Sequence, residues 1–167
     1  MTTLNHKYLE KLINAKLLIL DFDGVLTDNK VHISDSGNEC VTCSRSDGIG
    51  IANLLKRNIG VYIISTERNI VVTKRAEKLK IPCIQAVDNK GEAIQELSEK
   101  LSIPLKDMIF IGNDINDISG LSIVGVPIGV QDSHTDIENY ILFKTESNGG
   151  DGAVREVCDL IYNNIKS

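Results

Sequence analysis

The sequence predicts an α/β protein whose central parallel sheet carries helices on both faces and a small β-hairpin insertion. Short apolar runs alternate with segments of helical periodicity, and several of these runs end abruptly in polar residues. Strands covered on both faces of a parallel sheet are apolar at nearly every position. Alternating strands and helices are joined by right-handed crossovers. We therefore expect the carboxyl ends of the strands, where such sheets bind ligands, to meet at one edge.

Apolar spacing defines the elements of the first half. Leu9 and Leu12 have helical spacing, and alternating apolar residues flank a turn-forming segment at residues 35–38. The predicted elements are a helix at Thr3–Ala15, strands at Leu17–Leu20 and Gly60–Ile64, a β-hairpin flap at about residues 30–44, and a helix from Ser46 to Lys56. Ser46 or Asp47 is the expected N-cap of this second helix, because both side chains accept hydrogen bonds from backbone N–H groups.

The second half continues the alternation of strands and helices. Val154, Val157 and Ile161 lie on one face of a closing helix, and the glycine-rich residues 149–152 form a turn before it. The predicted elements are helices at Ile70–Leu79, Glu92–Leu101 and Ala153–Ile165, and strands at Cys83–Val87, Met108–Ile111, Val126–Val130 and Tyr140–Phe143. The chain has no internal repeat or linker, so residues 1–167 are expected to form one domain.

Composition and charge exclude several classes of function. The chain has 167 residues and a net charge of −5, with acidic and basic residues mixed along it. It therefore lacks the basic face expected of a nucleic-acid-binding protein. No apolar run reaches the length of a membrane span, and the N-terminus lacks the apolar core of a signal peptide. These features predict a cytoplasmic protein. Cys40 and Cys43 lack the second cysteine pair of a typical structural zinc site, so all four cysteines are expected to be reduced.

The predicted chemistry begins at the end of the first strand. Asp21 and Asp23 follow the apolar run Leu17–Leu20 and are separated by Phe22. Alternate residues of a strand point to the same side, so the two carboxylates share one direction. Adjacent carboxylates repel unless a proton or a cation lies between them. A site with few carboxylates and a phosphate suits Mg²⁺, which prefers oxygen ligands.

Polar residues also follow three later strands of the predicted sheet. These residues are Ser65 and Thr66, then Lys90, and finally the segment Gly112–Asp117. A hydroxyl that precedes a helix can donate to a phosphate oxygen, and a lysine near the acidic cluster would neutralise carboxylate and phosphoryl charge. Because a parallel sheet brings these strand ends to one edge, the four groups together predict a phosphate-handling site.

These motifs resemble the signatures of the haloacid dehalogenase superfamily, and the resemblance covers about residues 17–161. The first motif is Asp21-Phe22-Asp23-Gly24-Val25-Leu26-Thr27-Asp28. Ser65, Lys90 and the segment Gly112–Asp117 match the later motifs in their order along the chain. The resemblance implies a Rossmann-like core and a Mg²⁺-dependent phosphatase.

The resemblance also implies the roles of individual residues. Asp21 attacks phosphorus and forms an aspartyl-phosphate, while Asp23 protonates the leaving oxygen and then activates water. Ser65 and Lys90 hold the phosphoryl oxygens. The implied metal ligands are Asp21, Asp23 through its backbone carbonyl, Asn113, Asp114 and Asp117. Asn113 is a departure, because the superfamily often has aspartate there, and an amide brings one less negative charge.

A narrower resemblance is to the branch without a cap domain that dephosphorylates sugar acids. It includes phosphatases for 3-deoxy-manno-octulosonate (KDO) 8-phosphate and for nine-carbon sialic-type 9-phosphates, and the phosphatase-like domain of some CMP-sialate synthetases. The stretches that carry this narrower resemblance are Asp23–Asp28, Ser46–Ile51, Arg75–Leu79 and Gly149–Glu156. The resemblance implies a homotetramer in which the hairpins pack at the centre and a neighbouring subunit helps to close each active site.

The expected substrate is a nine-carbon keto-sugar-acid 9-phosphate. Ser46 stands where the octulosonate enzymes typically have arginine, and Glu67 with Arg68 resembles the sialic-type enzymes. Glu67 would accept from sugar hydroxyls and Arg68 would meet a carboxylate or amide oxygen. The residues predicted to contact the substrate are Thr27, Ser46, Asp47, Thr66, Glu67, Arg68 and Arg155, the last of them in an adjacent subunit.

Three alternatives accompany this prediction. The first keeps the mechanism and changes the substrate to KDO 8-phosphate. The second is a non-catalytic tetramerisation domain associated with a CMP-sialate synthetase, which the intact Asp21, Asp23, Ser65 and Lys90 argue against. The third is a signalling receiver domain, but receivers carry the acceptor aspartate on a later strand than their first acidic pair.

Overall fold

Six parallel strands form the central sheet in the computed structural model, which describes residues 6–165. The strands, numbered along the chain and including two in a hairpin, are β1 (Leu17–Leu20), β2 (Thr27–Ile33), β3 (Glu39–Cys43), β4 (Gly60–Ile64), β5 (Cys83–Ile84), β6 (Met108–Gly112), β7 (Val126–Gly129) and β8 (Phe143–Lys144). The order across the sheet is β5-β4-β1-β6-β7-β8, and every pairing within it is parallel. The predicted fold class is therefore confirmed.

Helices cover both faces of the sheet. They are α1 (His6–Ile13), α2 (Arg45–Lys56), α3 (Val71–Leu79), α4 (Lys90–Leu101), α5 (Ile118–Leu121) and α6 (Ala153–Asn164), with 3₁₀ turns at Leu105–Asp107, Ile115–Asp117 and Thr135–Tyr140. The main helices agree with the predicted ones to within three residues at each end that the structure describes. Residues 3–5 of the first predicted helix lie outside the described residues.

The central strand β1 joins two hydrophobic cores. Leu18 and Leu20 pack into the core that contains α2, α3 and α6, whereas Leu17 and Ile19 pack into the core that contains α4 and α5. All four side chains are buried, which explains why this run contains only apolar residues. Leu20 pairs with Ile63 of β4 and with Ile111 of β6. The residues that follow these three strands therefore lie side by side at one edge of the sheet.

Two strand predictions need correction. Residues 135–140 form a 3₁₀ turn, and β8 begins only at Phe143, so the predicted strand Tyr140–Phe143 is wrong. Ile137 is buried beneath this turn, and His134 Nδ1 accepts a hydrogen bond from the Asp136 N–H at 3.2 Å. The strand predicted at Cys83–Val87 stops at Ile84, because Ala86 has a left-handed φ of 59° that no strand accommodates.

The hairpin stands apart from the central sheet as a two-stranded antiparallel ribbon. β2 begins at Thr27, earlier than the predicted flap, and an irregularity separates Thr27 from Val31. Beyond that point its residues are exposed: Val31 is 51% and Ile33 is 69% accessible. An isolated two-stranded ribbon is only marginally stable in water, so the tip of this hairpin presents apolar side chains without cover from its own chain.

The four cysteines are free thiols, as expected. Between residues 6 and 165, no helix is both long enough and apolar enough to cross a bilayer.

Asp47 connects α2 to the start of α6. The N-cap of α2 is Ser44, so the predicted caps Ser46 and Asp47 are wrong. Asp47 is fully buried, and its Oδ1 accepts a hydrogen bond from the Arg155 N–H at 2.9 Å. The N-cap of α6 is Gly152, which offers no side-chain acceptor, so Asp47 caps this helix from another element. The predicted substrate contact through Asp47 is therefore wrong.

We expect Asp47→Asn to remove a pH-dependent part of the stability. Burial raises the pKa of Asp47 to about 6, although the Arg155 N–H and Arg75 oppose the shift. Because the pKa of the unfolded chain is about 3.9, the contribution of Asp47 is complete below about pH 4 and is lost as the pH rises through about 6. The free energy of unfolding of the wild type relative to Asp47→Asn should fall by up to about 3 kcal/mol between about pH 4 and pH 8.

Urea unfolding of both proteins across this pH range measures that difference. Other titrating groups are shared by the two proteins, so they cancel in the comparison. A difference that stays constant with pH, or grows as the pH rises, would contradict the expectation.

Candidate active site

A polar pocket opens at the edge of the sheet where β1, β4 and β6 end. Its walls come from the loops after β1, β4 and β6 and from β2, and the lining residues are Asp21, Asp23, Asn29, Thr66, Asn113, Asp114 and Asn116. Asp21, Asp23, Thr66, Asn113 and Asp114 are predicted site residues. The parallel register thus brings together residues that are more than 90 positions apart in the sequence.

The two carboxylates leave β1 as strand alternation predicts. Asp21 is almost fully buried, and its N–H donates to the Ile111 carbonyl at 3.0 Å, which extends the pairing with β6. Phe22 points into the core, and Asp23 is half-buried on the pocket side. Gly24 then turns the chain with a φ of 82°, a conformation that favours glycine.

Thr27 shapes this loop from inside and does not face the pocket. Its side chain is fully buried, and its Oγ1 accepts hydrogen bonds from the N–H groups of Gly24 and Asn29 at 3.1 and 3.2 Å. The predicted contact between Thr27 and the substrate is therefore wrong. A hydroxyl that satisfies two backbone donors in a tight turn has a structural reason to be threonine or serine.

The last loop of the chain packs against this first one. A Cβ added at Gly149 would lie within 1.8 Å of the Gly24 carbonyl oxygen, and one at Gly150 within 2.3 Å of the Asp28 nitrogen. The Gly150 N–H donates to the Val25 carbonyl at 3.0 Å. Only glycine permits this close approach of two backbones, which accounts for the paired glycines at residues 149 and 150.

Lys90 links the nucleophile position to the acidic loop. It is the first residue of α4, whose N-cap Asn89 accepts from two backbone N–H groups. The Lys90 side chain is completely buried, with its Nζ 2.6 Å from Asp21 Oδ1 and 2.5 Å from Asp117 Oδ1. Burial alone lowers the pKa of Lys90, but the two carboxylates outweigh it and raise the pKa above the ordinary value. The lysine is therefore a fixed positive charge beside Asp21.

Asp117 is a support for the loop, and the prediction that it binds metal directly is wrong. It is fully buried behind the pocket. Its Oδ1 pairs with Lys90, and its Oδ2 accepts hydrogen bonds from the N–H groups of Asn113 and Asp114 at 2.7 and 3.1 Å. Both oxygens are thus engaged, and Asp117 positions Lys90 and the turn after β6.

Asn113 lies directly against the two aspartates of the first motif. One terminal atom of its side-chain amide is 3.0 Å from Asp21 Oδ2 and 2.9 Å from the Asp23 carbonyl oxygen. Octahedral Mg²⁺ has ligands at about 2.0–2.1 Å, which places neighbouring ligands about 2.9 Å from each other. With the amide oxygen facing inward, its distances to the other two oxygens match this spacing, so the residues fit Mg²⁺.

This set of oxygens differs from a cluster of acidic side chains. Within residues 6–165, no three His, Cys, Asp or Glu side chains come together as a metal site. The pocket offers instead one carboxylate, one amide and one backbone carbonyl. Asp114 lies on the pocket wall, and its Oδ1 accepts from the Ile115 N–H at 2.7 Å. Its role as a ligand stays a prediction.

The loop after β4 supplies the opposite wall. Ser65 is buried at the strand end, and its Oγ accepts from the Glu67 N–H at 3.0 Å, which leaves its own hydroxyl hydrogen available to donate. Thr66 is exposed and lines the pocket. Glu67 Oε1 accepts from the N–H groups of Arg68 and Asn69 at 2.6 and 2.8 Å, so it also folds this loop.

Asp23 has the environment of a proton donor. Burial and then the nearby charge of Glu67 raise the pKa of Asp23, while Lys90 lowers it less. A carboxyl with a raised pKa retains its proton closer to neutral pH, which suits a general acid. Burial and the charge of Asp117 likewise raise the pKa of Asp21, against the opposing effect of Lys90.

Ser46 and Arg155 lie outside the pocket of their own chain. Ser46 Oγ is 2.7 Å from Ser44 Oγ at the start of α2. The Arg155 Nε donates to Asp159 Oδ2 at 2.7 Å on the same helix. The predicted role of Arg155 concerned a neighbouring subunit, and it stays a prediction.

The sequence analysis missed two pocket residues, Asn29 and Asn116. Asn29 has a φ of 62°, and asparagine tolerates this conformation better than most residues. Its position directly after the first motif could have predicted that it lies near the pocket, because a polar residue at the start of the hairpin is close to the sheet edge where the two aspartates lie. Asn116 lies within the predicted segment Gly112–Asp117, where only the acidic residues and Asn113 were selected.

Comparison with known proteins identifies the family to which the chain is similar. Residues 63–157 match the haloacid dehalogenase-like hydrolase family. The chain is 38% identical over 152 residues to the 3-deoxy-D-manno-octulosonate 8-phosphate phosphatase of Salmonella typhi, covering 90% of this chain and 81% of the relative. The enzyme of the same name from Escherichia coli strain K12 is 37% identical over 152 residues, with the same coverage.

Solved structures of phosphatases with the same name are also similar to this chain. The Yersinia pestis 3-deoxy-D-manno-octulosonate 8-phosphate phosphatase aligns with a TM-score of 0.90 and 34% identity, over 93% of this chain and 85% of that one. The phosphatase of that name from Moraxella catarrhalis, solved with magnesium, phosphate and KDO, aligns with a TM-score of 0.92 and 32% identity, over 95% and 92% of the two chains.

Proposed function

Since the chain belongs to the haloacid dehalogenase-like hydrolase family and is a phosphatase, we propose that it releases phosphate from a keto-deoxy sugar acid, with Mg²⁺ as cofactor. The observation that carries the proposal is the pair of carboxylates at the end of β1: Asp21 is buried against Lys90, and Asp23 is half-buried on the pocket wall. Two carboxylates in such different surroundings can serve as nucleophile and acid.

Each residue has a defined step in the proposed reaction. An Asp21 oxygen attacks phosphorus, and the bond from phosphorus to the sugar oxygen breaks as Asp23 donates its proton to that oxygen. Asp23, now ionised, takes a proton from water, which attacks the aspartyl-phosphate and restores Asp21. Lys90 holds Asp21 in place and offsets the charge near it throughout.

The metal and the phosphoryl group would be held by the ends of three strands. Asp21, the Asp23 carbonyl and Asn113 are the groups that would bind Mg²⁺, and Asp114 lies beside them. When bound, the ion supplies positive charge that stabilises the phosphoryl oxygens during transfer. Ser65 and Thr66 are placed to donate hydrogen bonds from the opposite wall.

We propose KDO 8-phosphate as the substrate. The relatives named above act on this eight-carbon sugar-acid phosphate, which supports the alternative over the predicted nine-carbon 9-phosphate. Ser46, one of the residues that favoured the 9-phosphate, lies outside the pocket and bonds to Ser44. Glu67, another of them, has its Oε1 engaged by the N–H groups of its own loop.

Phosphate release tests the proposal directly. We expect the purified protein with Mg²⁺ to hydrolyse KDO 8-phosphate with a kcat/KM at least about tenfold above that for a sialic-type 9-phosphate. Chelation of the metal should abolish release, and added Mg²⁺ should restore it. A preference for the 9-phosphate would refute the substrate assignment and keep the phosphatase. No release from either ester would favour the non-catalytic alternative.

A homotetramer would complete the proposed site. The exposed Val31 and Ile33 at the hairpin tip are suited to burial against other copies of the chain. The pocket is open to solvent in a single chain, and the hairpin is too small to cover it alone. A neighbouring subunit would exclude bulk solvent from the pocket and leave the water that Asp23 activates.

A further inference from the structure

We propose that the Asn113 side chain is a two-position group: without metal its amide nitrogen bridges Asp21 and Asp23, and with Mg²⁺ bound its amide oxygen faces the ion. The inference rests on the proposed function, because it assumes that Mg²⁺ binds beside Asp21. It follows that this site binds Mg²⁺ more weakly than the same site with a carboxylate at position 113.

With the amide nitrogen facing inward, the acceptors around Asn113 receive hydrogen bonds without a cation. The terminal amide atom faces two acceptors, Asp21 Oδ2 at 3.0 Å and the Asp23 carbonyl oxygen at 2.9 Å. An amide NH₂ group has two hydrogens to donate, one for each acceptor. Asp21 then has Lys90 on Oδ1 and Asn113 on Oδ2, so neither oxygen lacks a partner.

The oxygen-inward position requires a cation. It would bring the amide oxygen within 3.0 Å of Asp21 Oδ2 and 2.9 Å of the Asp23 carbonyl oxygen with no hydrogen between them, and such contacts are repulsive unless a positive charge lies between the oxygens. The same spacing fits an octahedral ion, as described above. The amide therefore exchanges its two terminal atoms depending on whether the metal is present.

The surroundings of Asn113 allow its side-chain amide to rotate and hold its backbone in place. Its N–H donates to Asp117 Oδ2 at 2.7 Å, and its carbonyl accepts from the His134 N–H at 2.8 Å, so the backbone is held on both sides. The side chain is buried against Gly24, where a Cβ would come within 2.1 Å of the outer amide atom. Rotation about the terminal bond interchanges two atoms of similar size, so it needs no other movement.

A carboxylate at position 113 would behave oppositely. It has no hydrogen to donate, so without metal it would face Asp21 as a second negative charge. With metal it would add one negative charge to the ligand set, and ligand charge is one determinant of cation affinity. Asn113→Asp should therefore tighten Mg²⁺ binding and destabilise the metal-free protein.

Isothermal titration of Mg²⁺ and thermal unfolding without metal test this at about pH 8, where ordinary carboxyls are ionised. We expect Asn113→Asp to bind Mg²⁺ at least about tenfold more tightly than the wild type, with a metal-free Tm lower by several degrees. The matched control is Asn116→Asp, which adds the same charge at an exposed position in the same pocket. It should change the affinity by less than about threefold.

Three outcomes would overturn the inference. Asn113→Asp could gain less affinity for Mg²⁺ than expected, Asn116→Asp could gain as much, or the metal-free Tm of Asn113→Asp could be no lower than that of Asn116→Asp. Absence of Mg²⁺ binding by both the wild type and Asn113→Asp would overturn it as well.

A second measurement uses the wild type and does not depend on the folding of a variant. The side-chain NH₂ signals of Asn113 in ¹⁵N-labelled protein are assigned by their absence from Asn113→Ala. Saturation with Mg²⁺ should shift both signals, because the nitrogen loses its two acceptors. Signals that stay in place on saturation would overturn the inference. Phosphate release is assayed separately, so normal Mg²⁺ binding without hydrolysis would refute the proposed function alone.

Discussion

Replacement of Asp21 by Asn is expected to lower kcat for phosphate release by at least about 10⁴-fold, the order seen when a nucleophile that works in concert with its neighbours is removed. An amide is a poor nucleophile, and it cannot form the acyl phosphate of the proposed reaction. Asn is close to Asp in size, so the packing around Lys90 and Phe22 should persist. Steady-state assays at saturating Mg²⁺ and substrate measure the loss.

The matched control for this substitution is Asp28→Asn. Asp28 lies seven residues further along, in β2, and its Oδ1 accepts from the Lys30 N–H, but it does not line the pocket. Its replacement should leave kcat within about threefold of the wild type, because surface substitutions away from a site usually have small effects. Thermal unfolding of both variants checks that they are folded. A folded Asp21→Asn protein that keeps a tenth of the activity would show that Asp21 is not the nucleophile.

Replacement of Lys90 by Met should lower the free energy of unfolding of the metal-free protein by about 3–5 kcal/mol, as expected when one partner of a buried ion pair is removed. Lys90 Nζ lies between Asp21 and Asp117, and all three side chains are almost entirely buried. Without the lysine, two carboxylates face each other in the protein interior. Chemical denaturation in the presence of a chelator measures the change and excludes any stabilisation by bound metal.

Two further variants test the cause of that loss. Lys90→Met combined with Asp117→Asn removes one of the facing charges, so it should recover about 1–2 kcal/mol relative to Lys90→Met. Lys16→Met breaks an exposed pair, in which Lys16 is 63% accessible and lies 3.4 Å from Asp107, so it should cost less than about 1 kcal/mol. If Lys90→Met lowers the free energy of unfolding no more than Lys16→Met does, repulsion between Asp21 and Asp117 is not what the buried lysine offsets.

The parts of the site that could be predicted from the sequence are those determined by the chain direction of the sheet. Asp21, Asn113 and Ser65 immediately follow buried strands, and parallel pairing in register places such residues together without reference to side-chain packing. Lys90 was predicted both from its place after a strand and from its match to a family motif. Its burial at the start of α4 agrees with that motif.

The wrong predictions have a common physical cause. Thr27, Asp47 and Asp117 are polar residues that the fold uses internally, to satisfy backbone N–H groups or a buried lysine. A sequence shows that a residue can form hydrogen bonds, but the direction of its side chain depends on packing between distant elements. Asp47, for example, is directed inward because α6 begins beside α2, more than 100 residues later.

The contact between residues 149–150 and the loop that follows β1 has a consequence for protein synthesis. The loop that carries both aspartates emerges from the ribosome well before the glycines that pack on it, because Gly149 follows Gly24 by more than 120 residues. Contacts between segments so far apart in sequence form late in folding. The nascent chain can thus form β1 and its first helices before the loop with the two aspartates is held in place by residues 149 and 150.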